Sequence, residues 1–294
     1  MQQSPPTSSG TTAPAPIAHY ENFPVASILC PPHLRAPIAA IYHFARTADD
    51  IADEGNLPAA DRLIQLHAYQ QALDALYAAT HDTVESVSAW PQVFGPLSHA
   101  IATHHLPQSL LRDLLDAFVQ DVEMTRDGAT YADEAQLLDY CRRSANPVGR
   151  LLLHLYGVTD PQALLESDAI CTALQLINFW QDLSRDIPNG RYYLTDADRA
   201  QFGVSQADIL AQNQTPAATQ LIAACACSAC STMLKGAPLV RRLPGRAGWE
   251  LRLVVQGGLR ILDKIEAMNF ATLKTRPALK WWDVPAMVWR SLWM

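Results

Sequence analysis

The stretch YHFARTADDIADE, Tyr42 to Glu54, sets four acids into an otherwise apolar run. Its apolar residues recur at three- and four-residue steps, which predicts a helix. On a helix Asp49 and Asp53 stand one turn apart on one face, where like charges cost roughly 0.2–0.5 kcal/mol. A partner of opposite charge outside the helix is therefore expected.

The same spacing returns in LINFWQDLSRDIPNGRYYL, Leu176 to Leu194. Asn178, Asp182 and Asp186 fall at i, i+4 and i+8, so their oxygens line one helix face. Two acid-bearing faces in one helical chain predict opposed walls of a cavity. Hard divalent ions prefer carboxylate and amide oxygens, and Mg²⁺ completes its shell with substrate phosphates. Mg²⁺ held by Asp49, Asp53, Asn178, Asp182 and Asp186, bridging a diphosphate, would remove both repulsions. Arg46 lies one turn before the first pair and Arg191 just beyond the second. Arginine's rigid fork suits phosphate oxygens, although each also fits an ordinary ion pair with a neighbouring Asp.

Composition frames these motifs. The chain has 294 residues, 49% hydrophobic and 17% charged, which predicts a sizeable core. Its net charge of -7 gives no pull toward nucleic acid. From Lys235 onward there are eleven Lys/Arg against four Asp/Glu, so that end is +7 and the rest −14. A basic end on an acidic body suggests contact with an anionic surface or ligand, or a solvated helix face. The scattered cysteines fit a reducing compartment, and CACSAC (Cys225 to Cys230) reads as small residues at a close helix contact.

Helical patterns follow one another with no period-2 alternation, so the fold expected is all-α, one bundle over residues 18–276. Pro147 and Gly149 predict a kink or break in the helical stretch around them. Residues 1–17, rich in Pro, Ser and Thr and without a basic or apolar signal, read as a disordered tail. No stretch reads as the long apolar run of a membrane span. Residues 277–294 carry Trp281, Trp282, Trp289 and Trp293 beside Lys280 and Arg290. Such a segment suits a membrane interface, or docks on the body or on a second chain.

At these residues the chain resembles the squalene/phytoene synthase family, all-α class I isoprenoid (terpenoid) synthases. HYENFPVAS looks like the family's N-terminal segment, which would place His19 and Phe23 near the substrate. YHFARTADDIAD is similar to the first Asp-rich motif, with Tyr42, Arg46, Asp49, Asp50 and Asp53 in matching places. NFWQDLSRDIPNGRYYL resembles the second, with Arg191 and Tyr192 trailing it. YCRRSANPVG aligns with a segment that usually reads Tyr-Cys-x-x-x-Ala-Gly-x-x-Gly. The departure SANPVG, with ENFPVAS and TADDIADEG, looks like the hydroxysqualene synthase branch of the bacterial hopanoid pathway.

The resemblance implies Mg²⁺-dependent ionisation of presqualene diphosphate and capture of the cation by water, giving hydroxysqualene and diphosphate. Such capture needs no hydride, so no NADPH is expected. Tyr140 would orient either that water or the departing diphosphate. Phe23, Tyr42, Tyr140, Phe179 and Trp180 are candidates to face the cation, with packing in the core the alternative for each, and the favoured one for Phe179 and Trp180. The alternatives are head-to-head condensation of two farnesyl diphosphates, to presqualene diphosphate, squalene or a carotenoid precursor, and a non-catalytic helical scaffold. The thirty-carbon product implies a cytoplasmic protein held at the inner membrane face, beside a partner synthase of the same pathway.

Overall fold

A computed structural model describes residues 30–78, 89–243 and 245–294. The expected tail (residues 1–17) and the substrate-binding candidates His19 and Phe23 lie outside them. The first helix, α1 (Pro32–Asp53), begins on a proline, whose missing N–H has no helical partner at that position anyway. Leu34, Pro37, Ile41, Phe44, Ala48 and Ala52 recur at three- or four-residue steps and are buried. The acids fall on the flank of that stripe. Phe44 meets Tyr69 and Phe94, with ring centroids 5.3 and 6.1 Å away, and the Tyr69 hydroxyl donates to the Phe44 carbonyl at 3.1 Å. These contacts tie α1 to α2 (Ala59–Ala78) and α3 (Pro91–His104), and α4 (Gln108–Asp127) completes one core. Arg62 closes the C-terminal end of α1, donating to the Ala52 carbonyl and to that of Gly55 at 2.8 Å.

The expected break falls at Ala145, between α5 (Glu134–Ser144) and α6 (Asn146–Leu155). Pro147 sits in the first turn of α6, and the steric restriction it places on the preceding chain favours a boundary there. Gly149 lies inside α6 for a different reason. A Cβ on it would stand 2.4 Å from Ser167 Oγ and 2.6 Å from Cys171 Sγ, so only glycine permits this close approach to the next helix.

That next helix, α7 (Pro161–Asp186), runs through the protein and is buried on several faces. Asp160 caps it by accepting from the Ala163 N–H at 3.0 Å. After a 3₁₀ turn (Ile187–Asn189) come the short α8 (Asp196–Phe202) and α9 (Gln206–Leu210), then α10 (Pro216–Gly236). By length and composition the stretch Pro216–Arg242 could cross a membrane, contrary to the expectation from sequence. It packs instead along α7, burying Ala226, Ala229 and Gly236. CACSAC is thus largely a small-residue contact, and none of its cysteines is in a disulfide.

A second core gathers α5, α7, α10 and the later helices α11 (Leu239–Arg242) and α12 (Gly245–Ala267). The C-terminal α13 (Val284–Ser291) docks on α12. Its anchor is Asp283, 1% exposed, which accepts from Arg260 at 2.9 Å, from the Lys280 N–H at 2.8 Å, and pairs with Lys264 at 2.7 Å. Burial alone would raise this carboxyl, but those donors hold it down at about 2. Of the alternatives for the segment, docking on the body is observed, with a row of tryptophans still facing outward.

Candidate active site

Between the two cores lies a cavity of about 580 Å³, within the usual range for small-molecule sites. One wall is α1, which presents Tyr42, Arg46, Asp49 and Asp53 at four-, three- and four-residue steps. The facing wall is α7. Its cavity stripe runs from Ser167, Ile170 and Cys171 through Gln175 to Asn178, Asp182 and Asp186. The helical period thus carries one face of α7 from small and apolar at its N-terminal half to oxygen-rich at its end. The lining from α6, α11 and α12 is mostly aliphatic, while α4 and α5 add Phe118, Asp121, Tyr140 and Ser144.

Each acid face carries arginine. Arg46 reaches Asp49 at 2.8 Å, Asp50 at 2.7 Å and Glu54 at 2.7 Å, all on or beside its own helix. Arg191 crosses from the chain after α7 to Asp53, and so bridges the two walls. The guanidinium of Arg276 donates to Asp182 through Nε, and at 3.3 Å through Nη2. Asn178 also donates to Asp182, at 3.0 Å. Asp186 lies deeper. Burial first, and Asp182 beside it second, push its carboxyl up to about 7, against the pull of Arg191.

Two side chains not singled out in the sequence join these. Arg276 stands in the loop before the C-terminal segment, and Gln181 fixes that loop by donating to the Pro277 carbonyl at 2.7 Å. Its only trace in the sequence is the basic surplus of that end. Asp121, on α4, accepts the Tyr140 hydroxyl at 2.6 Å, and burial raises its carboxyl to about 7. Nothing in the sequence around it distinguishes it from other helical acids.

One expectation is corrected. Tyr193, not Tyr192, is on the main cavity wall. The chain there is not helical, so neighbouring side chains point apart while Arg191 and Tyr193 share a side. Tyr193 stacks on Phe179 with centroids 3.7 Å apart, and of the two adjacent rings Phe179 reaches the cavity wall. Trp180 does not. One residue further round α7, it is buried in the core and absent from the cavity wall.

The donor set fits a hard divalent ion. Asp49, Asp53, Asn178, Asp182 and Asp186 all line one cavity and offer only oxygen or amide groups. The raised carboxyl of Asp186 reflects burial first and the neighbouring Asp182 second, a site where a cation would favour the ionised form. Among the described residues no three acids already converge on a point, since the arginines stand between the walls.

An all-α fold with two acid-bearing helices facing across a largely apolar cavity defines a class of protein, the helical isoprenoid synthases. The comparisons agree. The family model for squalene/phytoene synthase matches residues 17–283. Hydroxysqualene synthase from Rhodopseudomonas palustris is 34% identical over 254 residues, 85% of this chain and 80% of that protein. Hydroxysqualene synthase from Zymomonas mobilis is 40% identical over 168 residues, a match spanning 56% of this chain and about half (51%) of that protein. The crystal structure of squalene synthase HpnC from Alicyclobacillus acidocaldarius superposes with a TM-score of 0.76 at 36% identity, over 86% of this chain and 90% of that one. The chain belongs to the squalene/phytoene synthase family.

Proposed function

We propose that the protein ionises presqualene diphosphate and captures the resulting cation with water, giving hydroxysqualene and diphosphate. The observation that carries this reading is the division of one cavity into a charged end and an apolar end. Asp49, Asp53, Asn178, Asp182 and Asp186 would hold Mg²⁺, which when bound takes up charge developing on the leaving group. Arg46, Arg191 and Arg276 would donate to the diphosphate oxygens, their present carboxylate partners being shared with the metal. The thirty-carbon remainder would lie along Ile38, Ile41, Val148, Leu152 and Ile170, with Tyr42 and the stacked Phe179–Tyr193 pair facing the cation. Similarity to proteins named hydroxysqualene synthase supports this substrate over farnesyl diphosphate.

A place at the cytoplasmic face of a membrane, beside the synthase that makes its substrate, is part of the same proposal. Trp281, Trp289 and Trp293 are 80, 62 and 74% exposed. The Lys280 ammonium sits 4.8 Å over the Trp282 ring, a pairing of aromatic body and cationic tip that suits a lipid interface.

Product analysis tests the chemistry. Purified protein with Mg²⁺ and no nicotinamide receives presqualene diphosphate in one tube and farnesyl diphosphate in another. Hydroxysqualene from the first, with the second unchanged, is expected. Consumption of farnesyl diphosphate moves the protein to the condensing branch, and silence in both from folded protein leaves a scaffold.

A further inference from the structure

Capture by water, rather than by a hydride, requires a place for one water molecule beside the cation and a destination for its proton. The cavity wall offers both, the place on one face of α5 and the destination beside it on α4. Tyr140 and Ser144 stand four residues apart on that helix, one turn from each other, and both line the cavity.

The Tyr140 hydroxyl has one proton, and it is committed to Asp121 Oδ2 at 2.6 Å. The phenol oxygen is then left with lone pairs only, so toward the cavity it accepts. An acceptor repels a diphosphate oxygen but suits a water. The ring cannot easily turn away, being packed against Tyr131, Phe179 and Tyr193 with centroids 5.7, 6.1 and 6.4 Å distant. One turn on, Ser144 Oγ is buried with no hydrogen-bond partner among the described residues. Buried hydroxyls are nearly always satisfied, so an orphan on a cavity wall calls for a ligand atom. A serine hydroxyl swings between staggered rotamers and can donate or accept.

We propose that Tyr140 and Ser144 hold the water that captures the cation, and that Asp121 receives the proton which that water sheds. The proposal rests on the ionise-and-hydrate function above. The water oxygen forms a C–O bond with the cationic carbon. The oxonium so made loses one proton to the Tyr140 oxygen as the phenol's own proton crosses to Asp121. A neutral alcohol and a neutral Asp121 carboxyl result, and nothing is oxidised or reduced. Tyr140 and Ser144 are the catalytic residues of this step, and Asp121 acts through Tyr140.

SANPVG gains a role from this. Its first residue is the orphan hydroxyl, and Asn146 accepts from Thr172 Oγ1 on α7 at 2.9 Å, which locks the α5–α6 junction in place.

The test is a product ratio, hydroxysqualene formed per diphosphate released, measured on the full chain with Mg²⁺ and presqualene diphosphate. Ser144→Ala is expected to lower that ratio about fivefold, the effect of losing one hydrogen bond, with the balance appearing as hydrocarbon from proton loss. Ser144→Thr, which keeps a hydroxyl, should restore most of it. Asp121→Asn preserves an acceptor for the phenol but takes no proton, and should lower the ratio about tenfold or more. A purely structural Asp121 would leave the ratio alone. Should Asp121→Asn not fold, Tyr140→Phe breaks the same relay and is expected to lower the ratio likewise. An unchanged ratio in Ser144→Ala and in the relay variant, from wild type that does make hydroxysqualene, overturns the water site alone. Wild type that makes none overturns the site together with the function it rests on.

Discussion

The two acid faces share a spacing and little else. On α1, Arg46 comes from the same helix, and Asp49 and Asp53 remain about one third exposed, 33 and 32%. On α7, Asp182 is 16% exposed and its guanidinium, Arg276, arrives from 94 residues away. Asp186 beside it is desolvated enough for its carboxyl to reach about 7. Asp49 is thus balanced from its own helix, whereas Asp53 and Asp182 each depend on an arginine that the fold brings in from far along the chain, and the α7 acid is the more buried. Charge spacing marks where a cation belongs; burial and distant partners decide how strongly it is wanted.

The largest effect should come from removing one acid of either face. Asp53→Ala and Asp182→Ala are each expected to lower turnover by roughly a thousandfold or more while circular dichroism stays helical. Full activity in either would sink the metal assignment. Their stabilities should differ, because Asp182 is more buried than Asp53, 16 against 32% exposed, and its loss strands Asn178 as well as Arg276, whereas the loss of Asp53 strands Arg191. Thermal melting should therefore fall further for Asp182→Ala than for Asp53→Ala, and equal shifts would remove the asymmetry between the walls.

Next in size is Arg276 itself. Arg276→Ala should reduce kcat/KM about 10- to 100-fold, as expected for a donor to a charged group. Arg276→Lys should recover only part, since an ammonium cannot present the fork. Wild-type kinetics in Arg276→Ala would make it a resting partner of Asp182 and nothing more.

The raised carboxyls predict a pH dependence with a defined sign. Asp121 and Asp186 titrate near 7 in the folded protein, above the ordinary carboxylate value. The folded state therefore holds protons that the unfolded chain gives up, and the stability this contributes at acid pH is lost as pH rises through about 7. Metal-free protein should melt lower at pH 8 than at pH 5.5, which lie above and below that value of about 7. Mg²⁺ should restore more at the higher pH, where Asp186 is ionised. A slope unchanged in Asp186→Asn would show that Asp186 is not its source.

The smallest effect concerns the tail. Replacing Trp281, Trp289 and Trp293 by Ser should weaken partition onto anionic liposomes roughly tenfold. Turnover of detergent-dispersed substrate should change little, since the anchor Asp283 is untouched. Unchanged partition would assign the exposed tryptophans to another partner.

Much of this was legible before the fold was known. The breaks and periods of α1 and α7, both acid faces and the interruption near Pro147 follow from local rules, because a helix repeats its face every three to four residues wherever it lies. Tyr192 and Tyr193 could not be separated that way. In non-helical chain the side a residue faces is set by what the chain docks on. Trp180 and Phe179 differ by one step on a helix that buries apolar residues on several sides, so the sequence fits either ring to the core or to the cavity. Asp121 and Arg276 sit in unremarkable contexts, and only the packing of α4 beside α5, and of the loop at Pro277 on α7, brings them in.

By itself, then, the sequence determined the helices, the two oxygen-lined faces and the family, since all three are written in short-range spacing. The tertiary structure alone decided which arginine meets which acid, which tyrosine faces the cavity, and that the Tyr140 proton points away from it toward Asp121. Those outcomes depend on desolvation and on contacts between residues far apart in the chain, and neither is a property of any local stretch.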